Sequence, residues 1–384
     1  MKLLRKLALA LASLVLTLGI AEVLVRVFAP QDLVTEDFRY ASHPQVGFRL
    51  EPNTYIPGRD GGRINSLGVR GEDPAPKGAN ERRVLVLGDS FTYGAGVATE
   101  EVYVSILNEL DGGNTTYFNA GSPAYGTLRE RAWLDAFGEE VEADEVLLAV
   151  FVGNDFTDNQ STDAPRIFDG RLLSEGDADE ADWVLQLKLW RYQSHLYRLL
   201  ARRKPKESAV EPAAAPQGID ELDATQRAQL EQFDLGFADA NKERLRIYLP
   251  AGVSGEVDAL YALMEDALGR VQAWCEEREL PLSLLLIPDK MQVEPERMEQ
   301  ARRLADPNGA YPAPVADRPQ QFLAAWCAAR GLDCVDVLPA MRSETARRAG
   351  ERPALEYLYL FNDTHWNAAG HRLAAELVHA ARSN

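Results

Sequence analysis

Apolar residues in this chain fall into short unbroken runs separated by longer mixed stretches. From Arg82, RRVLVLG is a β-branched run closed by glycine, the pattern of a strand covered on both faces of a parallel sheet. A helical stretch follows around 100–110, then TTYFNAG as a second strand, a helix around 127–139, and DEVLLAVFVG as a third strand. After an interruption the alternation returns, with a helix at about 257–279, the strand LSLLLIP, a helix at 318–330, the strand LDCVDV and a last helix from about Asn367. Strand and helix alternating in this way imply βαβ units. The expected fold class is therefore α/β, a five-stranded parallel sheet with helices on both faces, and no internal repeat is visible.

Three stretches break the pattern. MKLLRK carries three positive charges and leads into LALALASLVLTLGIA, fifteen residues without a charge, which predicts a signal anchor or signal peptide over 1–29. Gly19 and Ala21 supply small residues for cleavage, and secretion is the alternative; the return of apolar character at VLV before Phe28 favours an uncleaved anchor. The basic tip then stays cytoplasmic and the rest lies outside, at a bacterial inner membrane facing the periplasm or cell exterior. Residues 30–80, rich in Pro, Gly and charge, read as a stalk or wrapping segment ahead of a catalytic domain at 81–384. An insertion at about 156–256 turns acidic at 175–182 and low in complexity at KPKESAVEPAAAPQG, where disorder is expected. Within it, WVLQLKLWRYQSHLYRLLARR has Leu, Trp and Tyr at helical spacing, a helix packed on the domain or lying at a membrane surface.

Composition narrows the function. With 41 Lys plus Arg against 59 Asp plus Glu, the formal net charge is -18, which repels phosphate backbones and argues against nucleic acid as a partner. The three cysteines, Cys275, Cys327 and Cys334, form no CxxC and have no His at zinc spacing, so neither metal nor other cofactor is expected. Cys327 and Cys334 fit either one disulfide or two free thiols.

In a doubly wound sheet the loops after the strands collect at one edge, and the polar clusters here occupy those loops. GDSFTYG (88–94) follows the first strand, NAGSPAYG (119–126) the second and VGNDF (152–156) the third, while FNDTHWNAAGH (361–371) leads into the last helix. Ser90 sits where strand turns to helix, a place that offers backbone N–H groups and the positive end of a helix dipole, although Asp and Ser are also common caps. A hydroxyl needs a base to become a nucleophile. Among the five histidines, His365 alone follows an acid, Asp363, in a loop before a helix, whereas His371 reads as structural. The backbone N–H groups of Ser90 and Gly121 and the Asn154 amide are candidate oxyanion donors, and Asp155 reads as a loop brace.

The ordered blocks GDSFTYG, the glycine of NAGSPAYG, GND and the late DTHW resemble those of the SGNH (GDSL-type) hydrolase superfamily, over roughly 82–384. The resemblance implies a flavodoxin-like α/β/α sandwich without metal, and hydrolysis or transfer of acyl groups, commonly acetyl esters of carbohydrates. It assigns Ser90 as nucleophile and first oxyanion donor, Gly121 and Asn154 as the other donors, His365 as base and Asp363 as the third triad member. One departure stands out: the family's acid lies three residues before the histidine, where this chain has Asn362, and the acid is at minus two. DTHW with Asn367 is similar instead to a motif of alginate-type O-acetyltransferases, in which the Asp-His pair precedes the serine. That local likeness adds partners in exopolysaccharide biosynthesis to the expectations. RINSLGVRG resembles a segment ahead of the GDS block in membrane-anchored bacterial members.

The expected function is acyl-ester hydrolysis or O-acyl transfer on an extracytoplasmic carbohydrate or small ester. Its rivals are a noncatalytic carbohydrate-binding or assembly component, and a lipase or thioesterase that holds an acyl chain against the tryptophan-rich insertion.

Overall fold

The runs picked out by hydrophobicity become strands β1 (Arg82–Gly88), β2 (Thr115–Gly121), β3 (Glu145–Phe151), β4 (Leu282–Ile287) and β5 (Asp333–Asp336) of one sheet. The computed structural model describes the chain except residues 1, 31–37, 57–61, 114, 161–163, 201–240, 307, 350–356, 361–362 and 384. The expected disorder of KPKESAVEPAAAPQG and the position of Asn362 lie outside the described residues. All neighbouring strands are parallel, in the order β5-β4-β3-β1-β2. This is the flavodoxin-like order, which reverses direction between β1 and β3 and opens a crevice at the carboxyl ends of those two strands. Val84 to Leu87 of β1 and Leu148 to Val150 of β3 are fully buried, as strands with helices on both faces must be.

The helices used below are, in chain order, α1 (Lys2–Phe28), α2 (Ser90–Tyr93), α3 (Tyr103–Asp111), α4 (Thr127–Phe137), α5 (Asp182–Gln193), α6 (His195–Leu200), α7 (Gly255–Glu276), α8 (Arg318–Ala328) and α9 (Ala368–Arg382). The chain divides into two compact units: Met1–Arg39 with Pro165–Glu207, and Tyr40–Ala164 with Ser208–Asn384. The first holds α1, α5, α6 and a hairpin made by Ile167–Phe168 and Arg171–Leu172. None of the residues of α1 is buried, and its mean hydropathy reaches 2.3 over an 18-residue window, sufficient in length and composition to cross a bilayer.

The second unit holds the sheet and begins at Tyr40. Residues expected as stalk or wrapping segment supply part of its core. The hairpin Tyr40–His43 and Gly47–Leu50 buries Phe48 and Leu50. Phe48 is held by Tyr125, whose Oη donates to the Phe48 carbonyl at 2.6 Å, and by the Arg129 guanidinium over its ring. Further on, the buried Arg70 donates to the carbonyls of Tyr93, Gly94 and Val97. These carbonyls close the turn after α2, so Arg70 ties the N-terminal segment to the backbone that follows Ser90. The three cysteines are free thiols, Cys275 and Cys327 buried and Cys334 half-buried.

Candidate active site

Ser90 opens α2 directly after β1, and its neighbour Asp89 performs the capping: Asp89 Oδ1 accepts from the Phe91 N–H at 2.9 Å. The other carboxylate oxygen, Asp89 Oδ2, lies 3.4 Å from Ser90 Oγ, a long contact that leaves room for a nearer partner. At four residues, α2 is too short to develop much of the macrodipole anticipated there, and electrostatic help must come from individual N–H groups.

His365 is held by a tight loop. The Leu360 N–H donates to the His365 carbonyl at 2.8 Å and the Asn367 N–H to the Leu358 carbonyl at 3.0 Å, while Tyr359 Oη donates to the Pro288 carbonyl at 2.9 Å. The buried Lys290 donates to the Leu360 carbonyl at 3.0 Å. Asn367 caps α9 through its side chain, accepting from the N–H groups of Ala369 and Gly370. Trp366, fully buried, meets Phe91 edge to face at a centroid distance of 5.1 Å. The residues that follow the serine and the histidine in the chain thus pack on each other.

This packing brings together residues 275 positions apart: His365 Nε2 lies 2.7 Å from Ser90 Oγ. On its other side His365 Nδ1 lies 2.7 Å from Asp363 Oδ1. An Nδ1–H donated to Asp363 leaves Nε2 as acceptor for the serine hydroxyl, the tautomer that a general base requires. The His365 side chain is 19% exposed and that of Asp363 47%, so solvent and substrate reach both. Burial works to raise the Asp363 carboxyl, but the hydrogen bond and charge of His365, with the N–H groups of Thr364 and His365, outweigh it and hold the group below its ordinary value. His371 is a core residue: its Nδ1 accepts from the Tyr103 N–H at 3.3 Å, and burial pushes it down to about 3, keeping it neutral.

The donor set differs from expectation. The Gly121 N–H is already engaged, donating to Asn119 Oδ1 at 2.8 Å. What the position requires is the missing side chain, because a Cβ there would stand 2.2 Å from the Tyr93 nitrogen. Gly121 therefore lets the end of β2 pass beneath α2 and is not an available donor. On the same loop the N–H of Gly126, the N-cap of α4, has no acceptor among the described residues. A Cβ on Gly126 would stand 2.9 Å from Cβ of Asp158, so this glycine lies against the segment that follows β3. Asn154 opens that segment; its Nδ2 donates to Asp158 Oδ2 at 2.8 Å, leaving the second Nδ2 hydrogen for another acceptor. Asp155 braces the turn by accepting from the Phe151 N–H at 2.8 Å. Among the described residues no group of three or more His, Cys, Asp or Glu side chains could hold a metal ion.

Acidic residues are concentrated near this edge of the sheet. Asp89 and Asp155 are fully buried and Glu130 nearly so, and neither carboxyl oxygen of Glu130 has a hydrogen-bond partner among the described residues. Burial first, and then the charge of Asp89, pushes Asp158 up to about 7 and holds Glu130 and Asp155 well above their ordinary values. A carboxyl raised in the folded state favours folding only while protonated. For Asp158 that contribution is complete below its ordinary 3.8 and is lost as the pH climbs to about 7. His371 acts oppositely over much of this range, so the informative quantity is a difference between proteins. The melting temperature of Asp158→Asn is expected to rise relative to wild type between pH 4 and 7 (both approximate limits). Calorimetry across that window checks it, and a constant difference contradicts it.

Residues 255–384, from α7 to α9, match the family described as the SGNH hydrolase-like domain of acetyltransferase AlgX. Solved structures that resemble the chain include an acetyl xylan esterase, at 11% identity over 78% of this chain and 98% of that one, with a TM-score of 0.38. A two-domain esterase active on acetylated mannans, co-crystallised with mannopentaose, is 13% identical over 79% of this chain and 50% of its own, with a TM-score of 0.36. A lipolytic protein of the G-D-S-L family from Desulfitobacterium hafniense is 11% identical over 78% and 98%, with a TM-score of 0.34. Among curated proteins there is no significant match. Over α7 to α9 the chain is thus similar to an SGNH hydrolase-like domain, and the sheet to which these residues add β4 and β5 continues back through β1.

Proposed function

We propose that the chain is a serine-dependent acyl-ester enzyme, with Ser90 as nucleophile, His365 as general base and Asp363 as the group that orients the imidazole. The observation that carries this reading is the 2.7 Å approach of His365 Nε2 to Ser90 Oγ. As Ser90 Oγ attacks the ester carbonyl carbon, its proton passes to Nε2; the imidazolium then returns a proton to the departing alcohol oxygen, leaving an acyl-serine. Water or a sugar hydroxyl next gives its proton to Nε2 and attacks the acyl carbon; the bond to Ser90 Oγ breaks, and that oxygen takes the proton back from the imidazolium. The N–H groups of Ser90 and Gly126 and the free Nδ2 hydrogen of Asn154 are the donors assigned to the oxyanion.

The match of residues 255–384 to an acetyltransferase domain supports acetyl as the acyl group, and the likeness of DTHW to the motif of alginate-type O-acetyltransferases supports a carbohydrate as donor or acceptor. The exposed apolar α1 supports an extracytoplasmic setting, with the basic tip inside. A fluorophosphonate probe, followed by mass spectrometry, tests the assignment: it is expected to modify Ser90, with loss of turnover of p-nitrophenyl acetate. Unmodified Ser90, and equal rates for wild type and Ser90→Ala, would replace the enzyme with a carbohydrate-binding component. A preference for long acyl esters over acetyl would replace it with a lipase or thioesterase.

A further inference from the structure

Trp183, Leu187 and Trp190 lie outside the packing of the unit that carries them. At about 100° per residue they share one arc of α5, roughly 60° wide, and they are 69%, 53% and 57% exposed. Leu185 and Leu189 point the opposite way, are buried, and line a cavity with Phe168 and Leu172 of the hairpin. The inner face of α5 thus completes its packing while two tryptophans and a leucine remain on the outer one, an unusual arrangement for an aqueous surface.

The level of that outer face is set by α1. Ser194 alone separates α5 from α6, and the first turn of α6 is built on α1: Glu22 accepts from Ser194 Oγ at 2.7 Å, the His195 N–H at 3.0 Å and the Leu196 N–H at 2.9 Å. Arg26 donates to the same carboxylate at 2.7 Å. Glu22 directly follows the fifteen uncharged residues, and apolar character resumes after it as VLV before α1 ends at Phe28, which places it in the outer part of a span of about 20 residues, a depth to which a carboxylate so fully partnered is suited. Trp190 precedes Ser194 by four residues, about 6 Å along a helix axis. The tryptophan face therefore starts close to the point of exit, in the zone where rings with an apolar body and a polar N–H are favoured.

We propose that α5 lies on the outer surface of the bilayer that α1 crosses, with Trp183, Leu187 and Trp190 at headgroup depth and Glu22 joining the two elements through α6. The proposal rests on α1 being a retained membrane anchor, and its test separates the two. The full chain is reconstituted into phosphatidylcholine vesicles, and flotation reads the anchor. In vesicles brominated near the top of the acyl chains, tryptophan emission is expected to fall in rough proportion to two of the six tryptophans, because the other four are buried. That loss is expected to disappear in Trp183→Phe/Trp190→Phe. A floating chain whose emission is unquenched, or is quenched equally in the variant, overturns the docking of α5 while leaving the anchor standing. A chain that does not float overturns both.

Discussion

His365→Ala is expected to lower kcat on p-nitrophenyl acetate by about 10⁴- to 10⁶-fold while the chain stays folded. The size follows from position. The imidazole lies 2.7 Å from the Ser90 hydroxyl on one side and 2.7 Å from a carboxylate on the other, whereas the other acceptor near that hydroxyl, Asp89 Oδ2, is farther off at 3.4 Å. Its ring contributes little core, being partly exposed and in contact with Phe91, so circular dichroism and melting temperature should change little. His371, six residues on, makes the control: its substitution removes a buried ring and should act on stability first. A His365→Ala chain that kept a tenth or more of wild-type turnover, as an order of magnitude, would remove the histidine from the mechanism.

Asp363→Asn should cost less, about 10²- to 10³-fold in kcat. An amide offering its N–H to Nδ1 would favour the tautomer with a proton on Nε2, facing the serine, which cannot act as base. Asp363 is nearly half exposed, however, so the amide can rotate and present its oxygen instead. The loop itself is fixed independently by Lys290 and the Leu360–His365 hydrogen bond. Steady-state kinetics on both variants decides the matter: equal losses would make Asp363 the sole determinant of ring orientation, whereas no loss would make it dispensable.

Strands β1, β3 and β4 were legible because each is a run of apolar residues buried on both faces, and the positions of Ser90 and His365 because they flank the ends of such elements. What escaped has equally specific causes. The segment from Tyr40 to Arg70 packs through isolated residues such as Phe48, Leu50 and Val69, set among glycines, prolines and charges, with strands of two to four residues that leave no period. Arg70 is buried because three carbonyls receive it, which no local pattern reveals. The helices Pro295–Ala305 and Leu338–Ala349 are too polar to show an apolar stripe. Gly121 illustrates a different limit: composition cannot reveal that an N–H is already engaged by a neighbouring carboxamide, nor that Gly126 offers the open one.

The edge-to-face contact between Phe91 and Trp366 has a practical consequence. Because aromatic rings behind the reacting groups set their spacing, removing the serine oxygen leaves the imidazole where it was, with the surrounding cleft undisturbed. An inert Ser90→Ala chain would then be a faithful bait, able to retain the natural acylated ligand long enough for that ligand to be recovered and identified.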